Sequence, residues 1–321
     1  MGQALNTLDV VCFGEILWDF FEAEASESGT AIRTFRSELG GASANVAVGL
    51  ARLGLNVAVA GAVGKDRLGL GLKRLLGAEG VVTDFVLELP NRTGITFVVR
   101  NPEGEPQFVP YRDASADLAI TAAHVTSAMG RTKWGVVGSN TLLTPTIAEA
   151  THRFLDLVRA NTGLVFVDLN VRAHLWLDQK DDLRTRVAGL IERADVVKAS
   201  EADLAAIGGL SFLQQHATAA TCVLTHGDRG AELMGDGRIT VPAMRVHAVD
   251  ATGAGDAFVA GMLAVLANSG ARPGQKTWTD PNLWTRALDA GNLMGAKAVG
   301  NVGAVTGLTG LGAVREKMLT S

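Results

Sequence analysis

Short apolar runs recur along the chain at Leu8 to Phe13, Asn56 to Gly64, Trp134 to Ser139, Leu164 to Leu169 and Thr221 to Thr225. Each is bounded by turn residues and has the length of a buried strand. Between them lie stretches with helical spacing, such as Val48 to Gly54 and Leu68 to about Gly77, which end at glycine as helices commonly do. This βαβ alternation predicts an α/β fold with a mostly parallel central sheet. Asn282 to Val299 adds a small-residue helix near the end. From Asn91 to Tyr111 the pattern changes to short alternating strands broken at Asn101-Pro102-Glu103-Gly104, a hairpin signal. A hairpin inserted in an α/β chain needs a surface to pack on. Paired with the segment from about Phe20 to Leu39, it predicts a second, small β-sheet.

Composition narrows the class. A chain of 321 residues that is 47% hydrophobic and 19% charged can bury a sizeable core. Thirty-eight glycines beside 5% aromatics suit tight turns between small-residue helices and strands. A net charge of -4, with no run of Lys and Arg, argues against nucleic-acid binding, so any phosphate handling is local. Cys12 and Cys222 sit in apolar runs and read as buried small hydrophobes. Met1 to Asp9 lacks the segments of a signal peptide, and no apolar run approaches the ~18 residues of a bilayer span, so a soluble cytoplasmic protein is expected. There is no internal repeat and no Pro-rich linker, which favours one domain over residues 1–321. The six histidines lack metal-ligand spacing, and neither a P-loop nor a strand-linked G-x-G-x-x-G is present.

The chemistry concentrates in Val249-Asp250-Ala251-Thr252-Gly253-Ala254-Gly255-Asp256-Ala257-Phe258. Gly253 and Gly255 permit backbone conformations closed to other residues, and the apolar run from Ala257 to Ala267 reads as a buried helix. The first-turn N–H groups of that helix have no partners inside it and lie at the positive end of its dipole, so Gly253, Ala254 and Gly255 can hold phosphate oxygens. Asp256, at the mouth of that anion site, either takes a proton from an attacking hydroxyl or caps a glycine-rich turn. Two further strand ends present polar groups where open α/β sheets bind ligands: Glu15 and Asp19 after the first run, and Asp168, Asn170 and Arg172 after the fourth. Arg112, just beyond the hairpin, offers a guanidinium to hydroxyls or a carboxylate, or else forms a surface salt bridge. Ser200, with Glu201 and Asp203 after it, matches a plain N-cap pattern.

The motif D-x-T-G-A-G-D-x-F from Asp250 to Phe258 resembles the second signature of the ribokinase-like (PfkB-type) sugar kinases, and Leu39-Gly40-Gly41-Ala42-Ser43-Ala44-Asn45-Val46-Ala47 resembles the first. The resemblance implies a three-layer α/β/α core with a small β-sheet lid built from segments roughly 15–38 and 91–113. It implies ATP as phosphoryl donor with Mg²⁺. Asp256 falls on the family's catalytic base, and Gly253 to Gly255 on its anion hole. Asp19, Gly41 and Asn45 match positions that contact the sugar. Asp168-Leu169-Asn170-Val171-Arg172 matches D-x-N-x-R, with Asn170 and Arg172 positioning phosphate or substrate and Asp168 mainly structural.

On the nucleotide side, Thr225, Gly227 and Asn292 match residues around the nucleotide. Relatives carry N-x-x-E where this chain has Ser200 and Asp203, with Lys198 and Glu201 nearby, so an indirect Mg²⁺ role for Glu201 and Asp203 stays open. Asp250, with Gly303-Ala304, matches a monovalent-cation loop of some relatives, which raises K⁺ as a cofactor. Many relatives pair through their lids, so a homodimer is expected. Gly40 to Ala42, Tyr111-Arg112 with Ala116-Asp117, and the run Val249 to Gly261 look most like fructokinases, and ribokinases usually have Lys at the Ala42 position. Arg92-Thr93-Gly94 and Asp168-Leu169-Asn170 also occur in kinases of 2-keto-3-deoxygluconate, the alternative. A sugar- or nucleotide-binding regulator that kept the fold is the non-enzyme alternative.

Overall fold

The computed structural model describes residues 8–22, 34–100, 106–176, 180–235 and 237–319. Its strands, in chain order, are β1 (Leu8–Phe13), β2 (Leu17–Glu22), β3 (Phe35–Gly40), β4 (Val57–Gly64), β5 (Val86–Leu89), β6 (Ile95–Arg100) and β7 (Pro106–Tyr111). They continue as β8 (Thr132–Gly138), β9 (Leu164–Asp168), β10 (Val196–Ser200), β11 (Thr221–Thr225), β12 (Ala231–Leu233) and β13 (Ile239–Val241). The helices are α1 (Ala42–Leu53), α2 (Arg67–Ala78), α3 (Pro145–Ala160), α4 (Lys180–Ile191), α5 (Glu201–Ile207), α6 (Leu210–His216), α7 (Ala254–Ser269), α8 (Pro281–Ala298) and α9 (Gly312–Leu319).

The apolar runs line up as a nine-stranded sheet in the order β13-β12-β11-β10-β9-β8-β1-β4-β5. Pairing is parallel from β5 through β11 and antiparallel where β12 and β13 close the far edge. Every residue of β4 and β9 is buried, as expected of strands covered on both faces. Alternation along β1 sends Val10 and Cys12 into one core with α1, α7 and α8, and Val11 and Phe13 into a second core with α3 and α4. The result is the expected three-layer α/β/α arrangement. Both cysteines are buried, and burial pushes their thiols up, Cys222 to about 11.

The helix that opens the central motif, α7, is buried almost all round. It lies against α8 so closely that a Cβ on Gly261 would come within 2.4 Å of the Ala290 carbonyl oxygen. This packing anchors the helix and so fixes where its first turn points.

The second sheet has the order β3-β2-β6-β7, which unites the two segments expected to form it. Residues 23–33 and the hairpin turn from Asn101 to Gly104 lie outside the described residues. Along β2, Leu17, Asp19 and Phe21 are buried while Trp18 and Phe20 are half-buried, so the sheet has an inner and an outer face. Thr93 secures its attachment: the Asp66 carboxylate accepts hydrogen bonds from the Thr93 N–H (2.9 Å), the Thr93 hydroxyl (2.7 Å) and Gly69 N–H (2.8 Å). Partial burial works against that carboxylate, but these bonds hold it below the usual carboxylate range. The hydrophobic pattern did not announce β5, α4, α6 or α9, all of them short or strongly polar. Among the described residues no helix is long and apolar enough to cross a membrane.

Candidate active site

Asp256 lies in the first turn of α7 and is 6% exposed. Gly253 caps that helix with φ 75°, and a Cβ there would strike Ala304 at 2.3 Å, so glycine is required on both counts. The Asp256 carboxylate is oriented by Asn45, whose Nδ2 donates to its Oδ2 at 2.7 Å. Asn45 in turn sits in the first turn of α1, which follows Gly41 at φ 96°. Both helix N-termini therefore converge on one carboxylate.

A cleft of about 590 Å³ opens between these turns and the inner face of the small sheet. Of the residues singled out in the sequence, Asp19, Gly41, Asn45, Arg112, Asn170, Arg172, Gly253 and Asp256 all line it. Asp19 enters from β2 and packs on Gly40, where a Cβ would lie 2.4 Å from its Oδ2. Burial, and then the charge of Asp256, push the Asp19 carboxyl up to about 7 against the pull of Arg172 and Arg112. Arg112 is buried and forms an ion pair with Asp117 at 2.5 Å, which Ser115 supports by donating to Asp117 at 2.6 Å. This is a buried pair at the rim of the cleft rather than the surface salt bridge that the sequence left open. Asn170 turns the chain out of β9 with φ 38°. Arg172 is exposed and has no protein partner among the described residues.

Glu15, Thr96, Asn140 and His174 are among the lining residues that carried no assigned role. Glu15 was legible as an acid at a strand end, but nothing in the pattern linked it to Asn140, which lies 125 positions away and donates to it at 2.9 Å. A second, smaller pocket shares Glu15, Ala42, Asn140 and Asn170 with the cleft and reaches Asp168. Asn45 Oδ1, Asn140 Oδ1 and Asp168 Oδ2 are buried without a protein partner. Buried polar atoms rarely stay unpaired, so these three mark a place built for polar ligands.

The nucleotide-side candidates are placed differently. Lys198 is buried in the middle of β10, 3.0 Å from Asp168, and lies 3.3 Å from where a Cβ on Gly255 would be. Burial works against its ammonium, but Asp168, Asp203 and Asp256 raise its pKa above the usual value, so it is a fixed positive charge beneath the glycine turn. Burial pushes Asp168 up to about 6 against the attraction of Lys198. Ser200 caps α5 in a capping box with Asp203, and the other Asp203 oxygen accepts from Val171 N–H at 2.6 Å. Glu201 is half-exposed and is held by His226 (2.9 Å) and Arg229. Both Asp203 oxygens are therefore bonded to the protein, whereas Glu201 meets His226 and Arg229 through Oε1 alone. Among the described residues no three His, Cys, Asp or Glu side chains cluster as a metal site. Thr225 ends β11, Gly227 follows it at φ 61°, and Asn292 donates to the Val241 and Pro242 carbonyls at 3.1 Å each. Asp250 accepts from Thr252 N–H (3.0 Å), from its hydroxyl (2.7 Å) and from Gly303 N–H (3.0 Å), tying the glycine turn to the loop that carries Ala304.

Comparison with known proteins agrees with this arrangement. The family model described as "pfkB family carbohydrate kinase" matches residues 7–309. The chain is 34% identical to "Fructokinase-1" of Oryza sativa subsp. japonica over 264 residues, covering 79% of this chain and 81% of that one. It is 35% identical to "Fructokinase" of Klebsiella pneumoniae over 240 residues, with 72% and 78% covered. The crystal structure of fructokinase with bound ATP from Xylella fastidiosa superposes with a TM-score of 0.85 at 29% identity, covering 97% of this chain and 98% of that one. The chain therefore belongs to the pfkB family of carbohydrate kinases, and it is an ATP-dependent sugar kinase.

Proposed function

We propose that the protein transfers the γ-phosphoryl group of ATP to a hydroxyl of fructose, with Asp256 as the general base. The observation that carries this reading is the Asn45–Asp256 bond at the floor of the cleft, which aims a buried carboxylate from the first turn of α7 toward bound sugar. Asp19 and the Gly41 turn would hold the sugar, and Asn170 and Arg172 would bracket the phosphate or the sugar from the other side. Asp256 would take the proton of the attacking hydroxyl as it moves in line on the γ-phosphorus. The N–H groups of Gly253, Ala254 and Gly255, with the Lys198 ammonium below them, would offset charge on the transferring group. Mg²⁺ would arrive with the nucleotide phosphates and neutralise part of their charge. Residues 1–321 are read as one kinase domain whose small sheet acts as a lid, excluding water and limiting ATP hydrolysis.

Fructose is favoured over other sugars by the relatives that bear the fructokinase name. The unpartnered Arg172 supports 2-keto-3-deoxygluconate as the second reading, because a guanidinium suits a carboxylate. The test is ADP release from Mg-ATP with each substrate, alongside Asp256→Asn. The variant is expected to bind fructose normally and to lose turnover by roughly 10²–10⁴-fold. A variant that keeps its rate would remove Asp256 as the base, and turnover confined to the keto acid would replace fructose.

Two further parts of this reading concern K⁺ and assembly. K⁺ would act through the loop that Asp250 ties down, and equal rates in K⁺ and tetramethylammonium salts would dismiss it. A homodimer would use the outer face of the lid, where Phe20, Phe35 and Tyr111 ring Phe97 and Tyr111 is 62% exposed. A monomer mass by light scattering would exclude it.

A further inference from the structure

We infer that Asp203 is a positioning residue for the sugar site: its short side chain holds the turn from Asn170 to Arg172 against the cleft. The inference rests on the proposed sugar role of that cleft and names a residue outside it on which the role depends.

The turn leaves β9 in a conformation that needs support. Asn170 has φ 38°, a left-handed value that a residue with a side chain keeps only where its surroundings hold it. Neighbouring strands supply part of the hold. Leu169 N–H donates to the Lys198 carbonyl at 3.0 Å, while Ser139 donates its N–H to the Leu169 carbonyl at 3.2 Å and its hydroxyl to the Asn170 carbonyl at 3.3 Å. These bonds all act at or before Asn170. Beyond it, Val171 is buried, and the one bond that its N–H makes among the described residues runs to Asp203 Oδ1 at 2.6 Å.

Asp203 is itself fixed. It lies in the first turn of α5, 3% exposed, and its Oδ2 accepts from the Ser200 N–H and the Ser200 hydroxyl, both at 2.7 Å. A carboxylate bonded through both oxygens joins the start of α5 to the turn. Where the resembling kinases carry N-x-x-E, the shorter aspartate of this chain keeps its carboxylate inside the capping box and beside Val171.

What the turn carries gives that bond its consequence. Asn170 and Arg172 flank Val171 and line the cleft together with Asp19 and Asn45. The Arg172 charge also pulls against the rise of the Asp19 carboxyl, which puts this guanidinium on the acceptor side. Without Asp203 a buried N–H would go unpaired, and the left-handed residue beside it would be free to relax, taking Asn170 and Arg172 from the positions they hold.

The experiment compares the parent, Asp203→Asn, Arg172→Met and the double variant. Asn has one oxygen, so it can serve Ser200 or Val171 but not both. Sugar affinity is read by calorimetry without nucleotide or Mg²⁺, and kcat/KM for the sugar is read at saturating Mg-ATP. Each single variant should weaken both by about tenfold, the lower end for a hydrogen bond to a charged group. The double variant should fall little further, because Asp203 acts through the turn. The Mg²⁺ concentration for half-maximal rate should stay within about twofold of the parent. Asp203→Glu guards against a variant that folds poorly. It keeps the capping box, so it should melt close to the parent, yet it carries its carboxylate one methylene away from Val171 and should lose sugar affinity as Asp203→Asn does.

Parental sugar affinity in either Asp203 variant, or losses that add in the double variant, would overturn the assignment. So would a tenfold shift in the Mg²⁺ requirement with sugar affinity intact, which would return Asp203 to the metal. A parent that phosphorylates a different sugar would displace fructose alone, and Asp203 would stand or fall on the same values for that sugar.

Discussion

The half of the site that we propose binds the acceptor, beneath the small sheet, and the proposed nucleotide half, at the ends of β10 and β11, use polar side chains in opposite ways. In the acceptor half Asn45, Asn140 and Asp168 keep buried oxygens unpaired, and Glu15 keeps one oxygen for the cavity. In the nucleotide half Ser200, Asp203, Asn292 and Asp250 are bonded into the fold. Hydroxyl recognition depends on directional side-chain acceptors that no other group has claimed. Phosphate recognition can rest on backbone N–H groups and a fixed charge, here the Gly253–Gly255 turn over Lys198, so neighbouring side chains are left to act as brackets.

The largest expected effect is on the buried charge that supports the acceptor half. Asp117→Asn would leave Arg112, 7% exposed, facing only Asp19 and Glu15 as counter-charges. Breaking a buried pair from one side costs about 3–5 kcal/mol, and the freed guanidinium would be drawn toward the two acids that line the cleft, Asp19 and Glu15. Urea unfolding should show that loss together with a raised KM for sugar. An unchanged midpoint would mean that the pair contributes little and that this half is less tightly preorganised than its geometry suggests.

Next comes Asp19, whose carboxyl is pushed up to about 7 by burial and by Asp256. From the ordinary carboxylate value near ~4 up to about 7, the folded protein keeps a proton that the unfolded chain releases, so this group makes stability fall as pH rises through that window. Asp19→Asn removes the penalty. The variant should melt roughly 2–4 °C higher than the parent at pH 8, with the gain vanishing toward pH 4, while sugar affinity drops about 10- to 100-fold. A variant that gains stability and loses sugar binding would identify Asp19 as a functional residue held at a cost to the fold. Equal melting points at pH 8 would contradict the burial argument.

The same contrast explains what the sequence disclosed. The strands were legible because each central one is covered on both faces and so reads as an unbroken apolar run; β4 and β9 show this most plainly. The glycine turn was legible because glycine is forced there twice, by the positive φ of Gly253 and by the approach of Ala304. The small sheet could be read from the change of period after Asn91, although its parallel β2–β6 pairing could not, since that joins strands far apart in the chain. Asn140 was missed for a related reason: its partner Glu15 is supplied by another strand end, and no local pattern marks a residue whose role is set by a distant neighbour. Ser200 and Asp203 illustrate the reverse case. A local pattern, the N-cap, accounts for their positions, and the structure shows that capping box closed.

The smallest expected effect sharpens the comparison most. Glu201 stands at the mouth of the nucleotide half with its side chain 56% exposed, between His226 and Arg229. Those partners hold its carboxyl below the usual range, His226 first and then Arg229, but an exposed arrangement of this kind is screened by water and salt. If metal and phosphate are handled by the glycine turn, Lys198 and the nucleotide's own oxygens, Glu201→Ala should leave the Mg²⁺ concentration for half-maximal rate within about twofold of the parent, because Mg²⁺ keeps most of its waters and needs few protein ligands. A shift of tenfold or more would show a side chain recruited to the metal when the nucleotide binds. The division between a side-chain-reading acceptor half and a backbone-reading nucleotide half would then hold only before ATP arrives.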